Sequence, residues 1–144
     1  LGLGELNSTG NECVVDFSDR IAHMARDPRI NVIGGYMEGI RDGMKLRNAL
    51  QVAQEHNTPV VVLKVGRTEE SAKAAASHTG SLAGSMEVWN AGVKQAGAIS
   101  VDSLEELIDV VRCLTYLGKT KGDRIGIIGG SGGQSVSMSD DFSS

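Results

Sequence analysis

Apolar residues recur along this chain in two alternating spacings, which predict helices and strands in turn. A helical spacing over 16–26, with Asp16 as its N-cap, precedes a continuous apolar run at 31–37 that has the length of a buried strand. The same pair recurs as a helix over 42–56 and a β-branched strand, TPVVVLKV, over 58–65. The apolar residues predicted to share the inward faces of these two helices are Phe17, Ile21, Met24, Leu46, Ala49, Leu50 and Ala53.

The alternation continues in the second half of the chain. A helix near 82–96 precedes a short strand at 98–101, and a longer helix begins after Ser103, whose spacing from Glu106 is that of a capping box. Because strands that alternate with helices form parallel βαβ units, residues from about 10 to 118 are expected to form a three-layer α/β sandwich with a mostly parallel sheet. The predicted core residues of these helices are Met86, Trp89 and Val93, then Leu104, Leu107, Ile108, Val111 and Leu114.

The residues after 118 differ in character. A polar, charged segment at 119–124 precedes IGIIGGSGGQS, which predicts a strand that ends in a glycine cluster. The GGSGG run lacks the Lys-Ser/Thr of a P-loop and has Ser135 where a dinucleotide fingerprint has its third glycine, so a structural turn is favoured over a nucleotide site. We therefore divide the chain into one domain, 1–118, and a linker with the opening strand and turn of a following domain, 119–144.

Composition excludes several classes of protein. The net charge of −4 and the 3% content of aromatic residues leave no basic run interleaved with rings, which argues against nucleic-acid binding. There is no apolar run of the roughly 18 residues that a membrane-spanning helix needs and no signal-peptide pattern, so we expect a cytoplasmic protein with no membrane partner.

Cys13 and Cys113 lie far apart, which predicts buried free thiols rather than a disulfide framework or a zinc site. The first residue is not Met and the chain stops abruptly, so we expect a piece of a longer polypeptide.

Two candidate catalytic residues follow neighbouring strands. Glu38 comes directly after the run 31–37, and His78 lies in the connection that leaves 58–65, within AAASHTGSLAG. Because parallel strands end at the same edge of a sheet, we expect both side chains at that edge. A carboxylate that accepts the Nδ1–H of an imidazole leaves Nε2 with its lone pair facing outward, which suits phosphoryl transfer.

Small residues surround His78 and leave room for a phosphate. Thr79 or Ser81 could cap a helix whose N–H groups bind an anion, and Gly80 permits close approach, so these three are the predicted phosphate-binding residues. Spacing alone leaves other interpretations open, because a histidine in a Ser/Gly-rich loop is often exposed and inert and Glu38 could be a helix-start charge. Three cations near the same edge could hold phosphate or could simply solvate the surface: Arg41, Lys64 and Arg67.

Four segments together resemble a known family: GNECVVDFSDRI, YMEGIRDG, TPVVVLKVGRTEESAKAAASHTGSLAGS and DSLEELIDVV. They resemble the nucleoside-diphosphate-forming acyl-CoA synthetases, of which ADP-forming acetate–CoA ligase is the best-known type. They are more distantly similar to the second domain of the succinyl-CoA synthetase alpha subunit, which has a flavodoxin-like fold. The resemblance implies that His78 is phosphorylated during turnover and that Glu38 orients it. The opening LGLGELNSTGNE resembles the end of the first strand of this phosphohistidine domain, so we expect domain 1–118 to be truncated at its N-terminus.

The resemblance also implies a reaction and its partners. Acyl-CoA and phosphate give an acyl phosphate, His78 takes the phosphoryl group, and ADP receives it to form ATP, all reversibly. ATP or ADP, CoA and Mg²⁺ are implied as cofactors. They would be bound mainly by CoA-binding and ATP-grasp domains outside these residues, in the same chain or in a partner subunit of an oligomer. This piece alone is expected to be inactive, and no metal site is expected within it. Two other functions stay open: a non-catalytic acyl-CoA- or nucleotide-sensing region of an acetyltransferase, against which the presence of His78 argues, and a protein-interaction domain.

Overall fold

The computed structural model describes residues 2–67, 86–117, 122, 124, 126–128 and 132–143. Over these residues the chain forms three strands and five helices, in the alternating order that the sequence predicts as far as residue 117. In chain order they are helix α1 (Phe17–Met24), strand β1 (Ile33–Met37), helix α2 (Gly43–Glu55), strand β2 (Val60–Lys64), helix α3 (Met86–Gln95), strand β3 (Ile99–Val101), helix α4 (Leu104–Leu117) and helix α5 (Gly132–Ser143). No helix within the described ranges is long and apolar enough to cross a membrane.

The three strands form one parallel sheet in the order β1-β2-β3. Ile33 of β1 lies opposite Val60 of β2, and Leu63 of β2 lies opposite Val101 of β3. All residues of β2 are buried, as expected for a β-branched run that has a strand on each side and helices on both faces. On its other edge, β1 has no partner strand among the described residues.

Helices cover both faces of the sheet, which confirms the predicted three-layer sandwich. Helices α1, α2 and α3 pack on one face, where the buried cluster is Ile21, Ala25, Ile33, Met37, Leu46, Ala49, Leu50, Ala53, Val60, Val62, Trp89 and Val93. Helix α4 packs on the other face over Val61, Leu63 and Val101, with Leu107 as its buried contact. The alternating side chains of β2 therefore belong to two separate cores.

Two predicted helix starts are confirmed in their hydrogen bonds. The Asp16 carboxylate accepts from the Asp19 amide and the Asp19 carboxylate accepts from the Asp16 amide, each at 3.0 Å, which is a complete capping box. Ser103 Oγ accepts from the Glu106 amide at 3.1 Å, whereas the Glu106 carboxylate reaches back to the amide of Asp102 at 2.7 Å. In the second box the Glu106 carboxylate therefore bonds the amide of Asp102 instead of the amide of Ser103, which the sequence spacing predicts.

The apolar face predicted for α4 is only partly buried. Leu107 is buried and Val111 and Leu114 pack on the same cluster, but Leu104 and Ile108 are 56% and 49% exposed. Their predicted burial is wrong because α4 is the one described helix in its layer. A single helix across the sheet presents one stripe to the strands, and its flank has no described neighbour to pack against.

The structure differs from the prediction after residue 124. Residues 126–128 lie in the predicted strand but form no strand, and Ile128 is 99% exposed. A strand needs a neighbour to bond its N–H and C=O groups, and none of the described strands lies beside this segment. Helix α5 occupies Gly132–Ser143 and so begins within the glycine cluster for which the sequence predicts a turn. The division of the chain at 118 stays a prediction.

The two cysteines are free, as predicted, but their predicted burial is wrong. Cys13 lies in the irregular segment before α1, and Cys113 lies on α4; both are exposed. Cys113 is on the side of α4 that faces away from the sheet, and Cys13 precedes the first element that packs. The N-terminal residues 2–9, which resemble a strand end in sequence, are likewise irregular.

Candidate functional site

Strands β1 and β2 end side by side at one edge of the sheet. Met37, the last residue of β1, lies opposite Lys64, the last residue of β2, and the Val65 amide donates to the Met37 carbonyl at 3.0 Å. Glu38 follows directly at this edge. Gly66, with φ of +73°, makes the turn that leaves β2, a backbone conformation that favours glycine. The predicted placement of Glu38 at this edge, where the connection to His78 also starts, is confirmed.

The residues predicted to carry and bind the phosphoryl group lie in that connection. His78, Thr79, Gly80 and Ser81 are outside the described residues. The pairing of His78 with Glu38 therefore stays a prediction that rests on the shared edge and on the family resemblance.

Glu38 presents an unused acceptor. The residue is half-buried, and its Oε2 atom is buried without a hydrogen-bond partner among the described residues. A buried carboxylate oxygen without a donor is costly, so such an atom in a folded protein calls for an explanation, and a catalytic role is one of those known. No group of the described residues donates to this oxygen, and an imidazole N–H is a donor of the kind that it can accept.

Glu38 lines a cavity of about 610 Å³ that lies along the open edge of β1. Helix α1 borders it on one side, Leu107 of α4 on the other, and the N-terminal segment 5–12 contributes a wall. The lining includes Arg20, whose Nε is also buried without a partner among the described residues. Two residues of this lining therefore carry a buried polar atom, one an acceptor and one a donor, that has no hydrogen-bond partner among the described residues.

Arg20 is a candidate that the sequence analysis does not single out, although a signal for it exists. On α1, Phe17, Ile21 and Met24 form the inward stripe, and position 20 belongs to the same stripe because it lies one helical turn after Phe17. An arginine in an apolar stripe needs a polar environment on that side of the helix. The edge cavity provides that environment.

Two of the three cations predicted near the edge are used in structural contacts. The Arg41 guanidinium donates to the Asn11 carbonyl at 2.8 Å, which fastens the N-terminal segment to the loop after β1. Arg67 forms an ion pair with the Asp102 carboxylate at 2.6 Å and donates to the Asp102 carbonyl at 3.2 Å. Lys64 is buried, and burial, together with the charge of Arg67, holds the pKa of its ammonium below the usual value. Within the described ranges, no three His, Cys, Asp or Glu side chains cluster as metal ligands would.

Comparison with known proteins assigns this fold to a known domain family. Residues 1–114 match the family described as the succinyl-CoA ligase-like flavodoxin domain. The chain is 43% identical to the ADP-forming acetate–CoA ligase I of Archaeoglobus fulgidus over 97% of its length, and 40% identical, again over 97%, to the alpha subunit of the ADP-forming acetate–CoA ligase I of Pyrococcus furiosus. It spans 20% and 30% of the length of these two relatives.

A solved structure gives the same assignment. The dinucleotide-forming acetyl-coenzyme A synthetase 1 of Candidatus Korarchaeum cryptofilum, in complex with phosphate and ADP, superposes with a TM-score of 0.84 at 34% identity. The match covers 94% of this chain and 30% of that one. The predicted flavodoxin-like fold is confirmed. This chain belongs to the family of succinyl-CoA ligase-like flavodoxin domains, and its homologues are ADP-forming acyl-CoA ligases.

Proposed function

We propose that this chain is the phosphohistidine-carrying domain of an ADP-forming acyl-CoA synthetase, with His78 as the phosphoryl carrier and Glu38 as its positioning residue. The observation that carries the proposal is the buried Oε2 of Glu38, which has no hydrogen-bond partner among the described residues and lies at the sheet edge from which the connection to His78 departs. Family membership and the match to an acetyl-coenzyme A synthetase that holds phosphate and ADP support it.

The proposed chemistry follows from the acceptor on Glu38. His78 donates Nδ1–H to this oxygen, so the lone pair of Nε2 faces the substrate. Nε2 attacks the phosphorus of an acyl phosphate; the N–P bond forms, the P–O bond to the acyl group breaks, and the carboxylate leaves with the electron pair of that bond. The positive charge that develops on the imidazole is stabilised by the Glu38 carboxylate, which is most effective where water is excluded.

The other half-reactions use substrates bound elsewhere. Acyl-CoA and inorganic phosphate give the acyl phosphate and free CoA, and ADP later takes the phosphoryl group from His78 to give ATP. Thr79, Gly80 and Ser81 bind the phosphate oxygens through hydroxyl and backbone N–H groups. All steps are reversible, so in the opposite direction ATP phosphorylates His78.

The remaining machinery is proposed to lie outside these residues. CoA-binding and ATP-grasp regions, in the same chain or in a partner subunit, would supply the sites for CoA, nucleotide and the accompanying Mg²⁺. The names of the relatives fit both arrangements, since one is a ligase without a named subunit and the other an alpha subunit. We propose a cytoplasmic, oligomeric enzyme.

The test is ligase activity of the complete enzyme, assayed as ADP formation from ATP, CoA and acetate. His78→Asn is expected to reduce it to background because Asn cannot carry a phosphoryl group. His56→Asn is the matched control, since His56 is exposed at the end of α2 with its Nδ1 on the Val52 carbonyl at 2.8 Å, and it should leave the activity unchanged. Activity retained in His78→Asn would contradict the proposal.

A further inference from the structure

Glu38 lies in the short connection from β1 to α2, which comprises residues 38–41. Both ends of this connection are fixed by hydrogen bonds. At the first end the Met37 carbonyl accepts from the Val65 amide at 3.0 Å, and at the second end the Asp42 carboxylate caps the first turn of α2. The residues between them belong to no helix or strand, so the contacts of their side chains decide how tightly the backbone at Glu38 is held.

Arg41 fastens this connection to the N-terminal segment. Its guanidinium donates from Nη2 to the Asn11 carbonyl at 2.8 Å, a contact between residues 30 positions apart in the chain. Arg41, Asn11 and Glu38 all line the cavity of about 610 Å³ beside β1, so this hydrogen bond is formed at the same cavity as the carboxylate. A hydrogen bond from a charged donor is stronger than one between neutral groups, so a single one can restrict the connection.

The turn that presents the Asn11 carbonyl is itself held in place. Gly10 and Glu12, on either side of Asn11, have left-handed backbone with φ of +55° and +53°. This conformation is unfavourable for a residue other than glycine and persists only where surrounding contacts maintain it. The Glu12 carboxylate supplies such contacts, since its Oε1 accepts from the Phe17 amide at 3.0 Å and from the Thr9 hydroxyl at 2.9 Å. The acceptor for the guanidinium is therefore fixed to the start of α1.

We propose that Arg41 is a positioning residue for the phosphoryl transfer. Its bond to the Asn11 carbonyl holds the connection 38–41, and the held connection keeps the carboxylate of Glu38 in place to meet the imidazole. The inference rests on the proposed function, because Arg41 has this task only if Glu38 orients His78. Rates are sensitive to such placement, since a displacement of about 1 Å can slow a reaction about a hundredfold.

The test is a double-mutant cycle on the complete enzyme, with the rate of His78 phosphorylation by γ-labelled ATP as the readout. Arg41→Met removes the donors and should slow labelling about tenfold or more. In a Glu38→Ala background the same substitution should change the rate less than about twofold, because the carboxylate that it positions is then absent. A guanidinium that binds the phosphate itself would instead contribute the same factor in both backgrounds.

Amide hydrogen exchange measures the placement of the connection without any activity. Arg41→Met should raise the exchange rate of the peptide that contains residues 38–41 about threefold or more, because the restraint on its backbone is lost. Arg26→Met is the matched control: Arg26 is also exposed and also donates to a backbone carbonyl, that of Ala22, but it lies just after the end of α1. It should change neither the exchange nor the labelling.

A second variant acts on the acceptor and leaves the guanidinium intact. Glu12→Ala removes the carboxylate that holds the turn around Asn11, so it should slow labelling in the same direction as Arg41→Met. The loss of a phosphate-binding charge would not produce this result, because Glu12→Ala retains that charge.

Three results on an enzyme whose wild type is labelled at His78 would overturn the role of Arg41 alone. They are unchanged labelling in Arg41→Met, unchanged exchange in the same variant, or an undiminished effect of Arg41→Met in the Glu38→Ala background. Absence of label from the folded wild type would overturn the proposed function and this inference with it, so the two failures are distinguishable.

Discussion

The ring of Phe17 on α1 lies against the Cα of Gly35 on β1, in the space that a side chain at that position would fill. The neighbouring Gly34 faces the opposite layer, where Val111 Cγ2 is 3.2 Å from the place of a Cβ. Two consecutive glycines thus let a helix from each layer approach the same strand closely. This close packing holds α1, and with it Arg20, beside the strand that Glu38 follows.

Gly35→Ala is predicted to destabilise the fold by about 1–3 kcal/mol, because the added methyl group overlaps the Phe17 ring and the core has to shift. Urea unfolding measures this effect. Gly43→Ala is the control, since a Cβ at Gly43 meets no atom within 4 Å and this change should be close to neutral. Equal stability of the two variants would show that Phe17 does not require a glycine at position 35.

The capping box of α1 gives a second prediction. Asp16→Ala removes the acceptor for the Asp19 amide and the ion pair with Lys45 at 2.9 Å, and it should cost about 0.5–2 kcal/mol, the usual range for loss of an N-cap. Asp16→Asn keeps a side-chain acceptor and should retain most of the stability. Thermal unfolding of the two variants distinguishes them; equal losses would mean that the cap contributes little.

The same corner of the fold predicts a pH dependence. The hydrogen bond from the Lys45 ammonium and then that from the Asp16 amide hold the pKa of Asp19 below its ordinary value of 3.8. Because the carboxylate is favoured in the folded state, this stabilisation is present above pH 3.8 and is lost as the pH falls through the lower folded-state pKa. The difference in unfolding free energy between wild type and Lys45→Met should therefore be constant near neutral pH and shrink on acidification. A difference that grows below pH 3.8 would contradict this assignment.

Glu38→Gln tests the positioning role directly. An amide keeps an acceptor for the imidazole but loses the charge that stabilises the phosphorylated ring, so phosphorylation of His78 should slow by about 10²–10⁴-fold. The acid limb of the pH–rate profile should also move to lower pH, because the imidazolium loses its neighbouring anion. Glu55→Gln, on the exposed surface of α2, is the control. A slower rate without any change in the profile would indicate a structural role alone.

The sequence predicts the sheet well where burial decides the pattern. In β2 every position is buried, so the run TPVVVLKV is apolar almost throughout, and the inward residues of α2 are the four that helical spacing selects. The position of Glu38 also follows from topology, since parallel strands end at one edge. These features depend only on the spacing of apolar residues along the chain and on the parallel direction of the strands.

Other features depend on neighbours that spacing does not reveal. Leu104 and Ile108 share the apolar face of α4, yet the layer contains no second described helix to cover them. Ile128 has the residue type of a strand but no described strand to pair with. Arg20 is a third case: its Nε has no partner among the described residues, and it lines the cavity beside β1, which appears only when α1, β1 and the N-terminal segment are assembled.

The most direct measurement of the central proposal is phosphorylation of the complete enzyme by ATP labelled at the γ-phosphate, in the presence of magnesium. The account predicts a label that survives base, is lost in acid, maps to the peptide containing His78, and is absent from His78→Asn. No label on intact, folded enzyme, or a label that persists in His78→Asn, would contradict it, and the first of these results would favour a non-catalytic sensing domain.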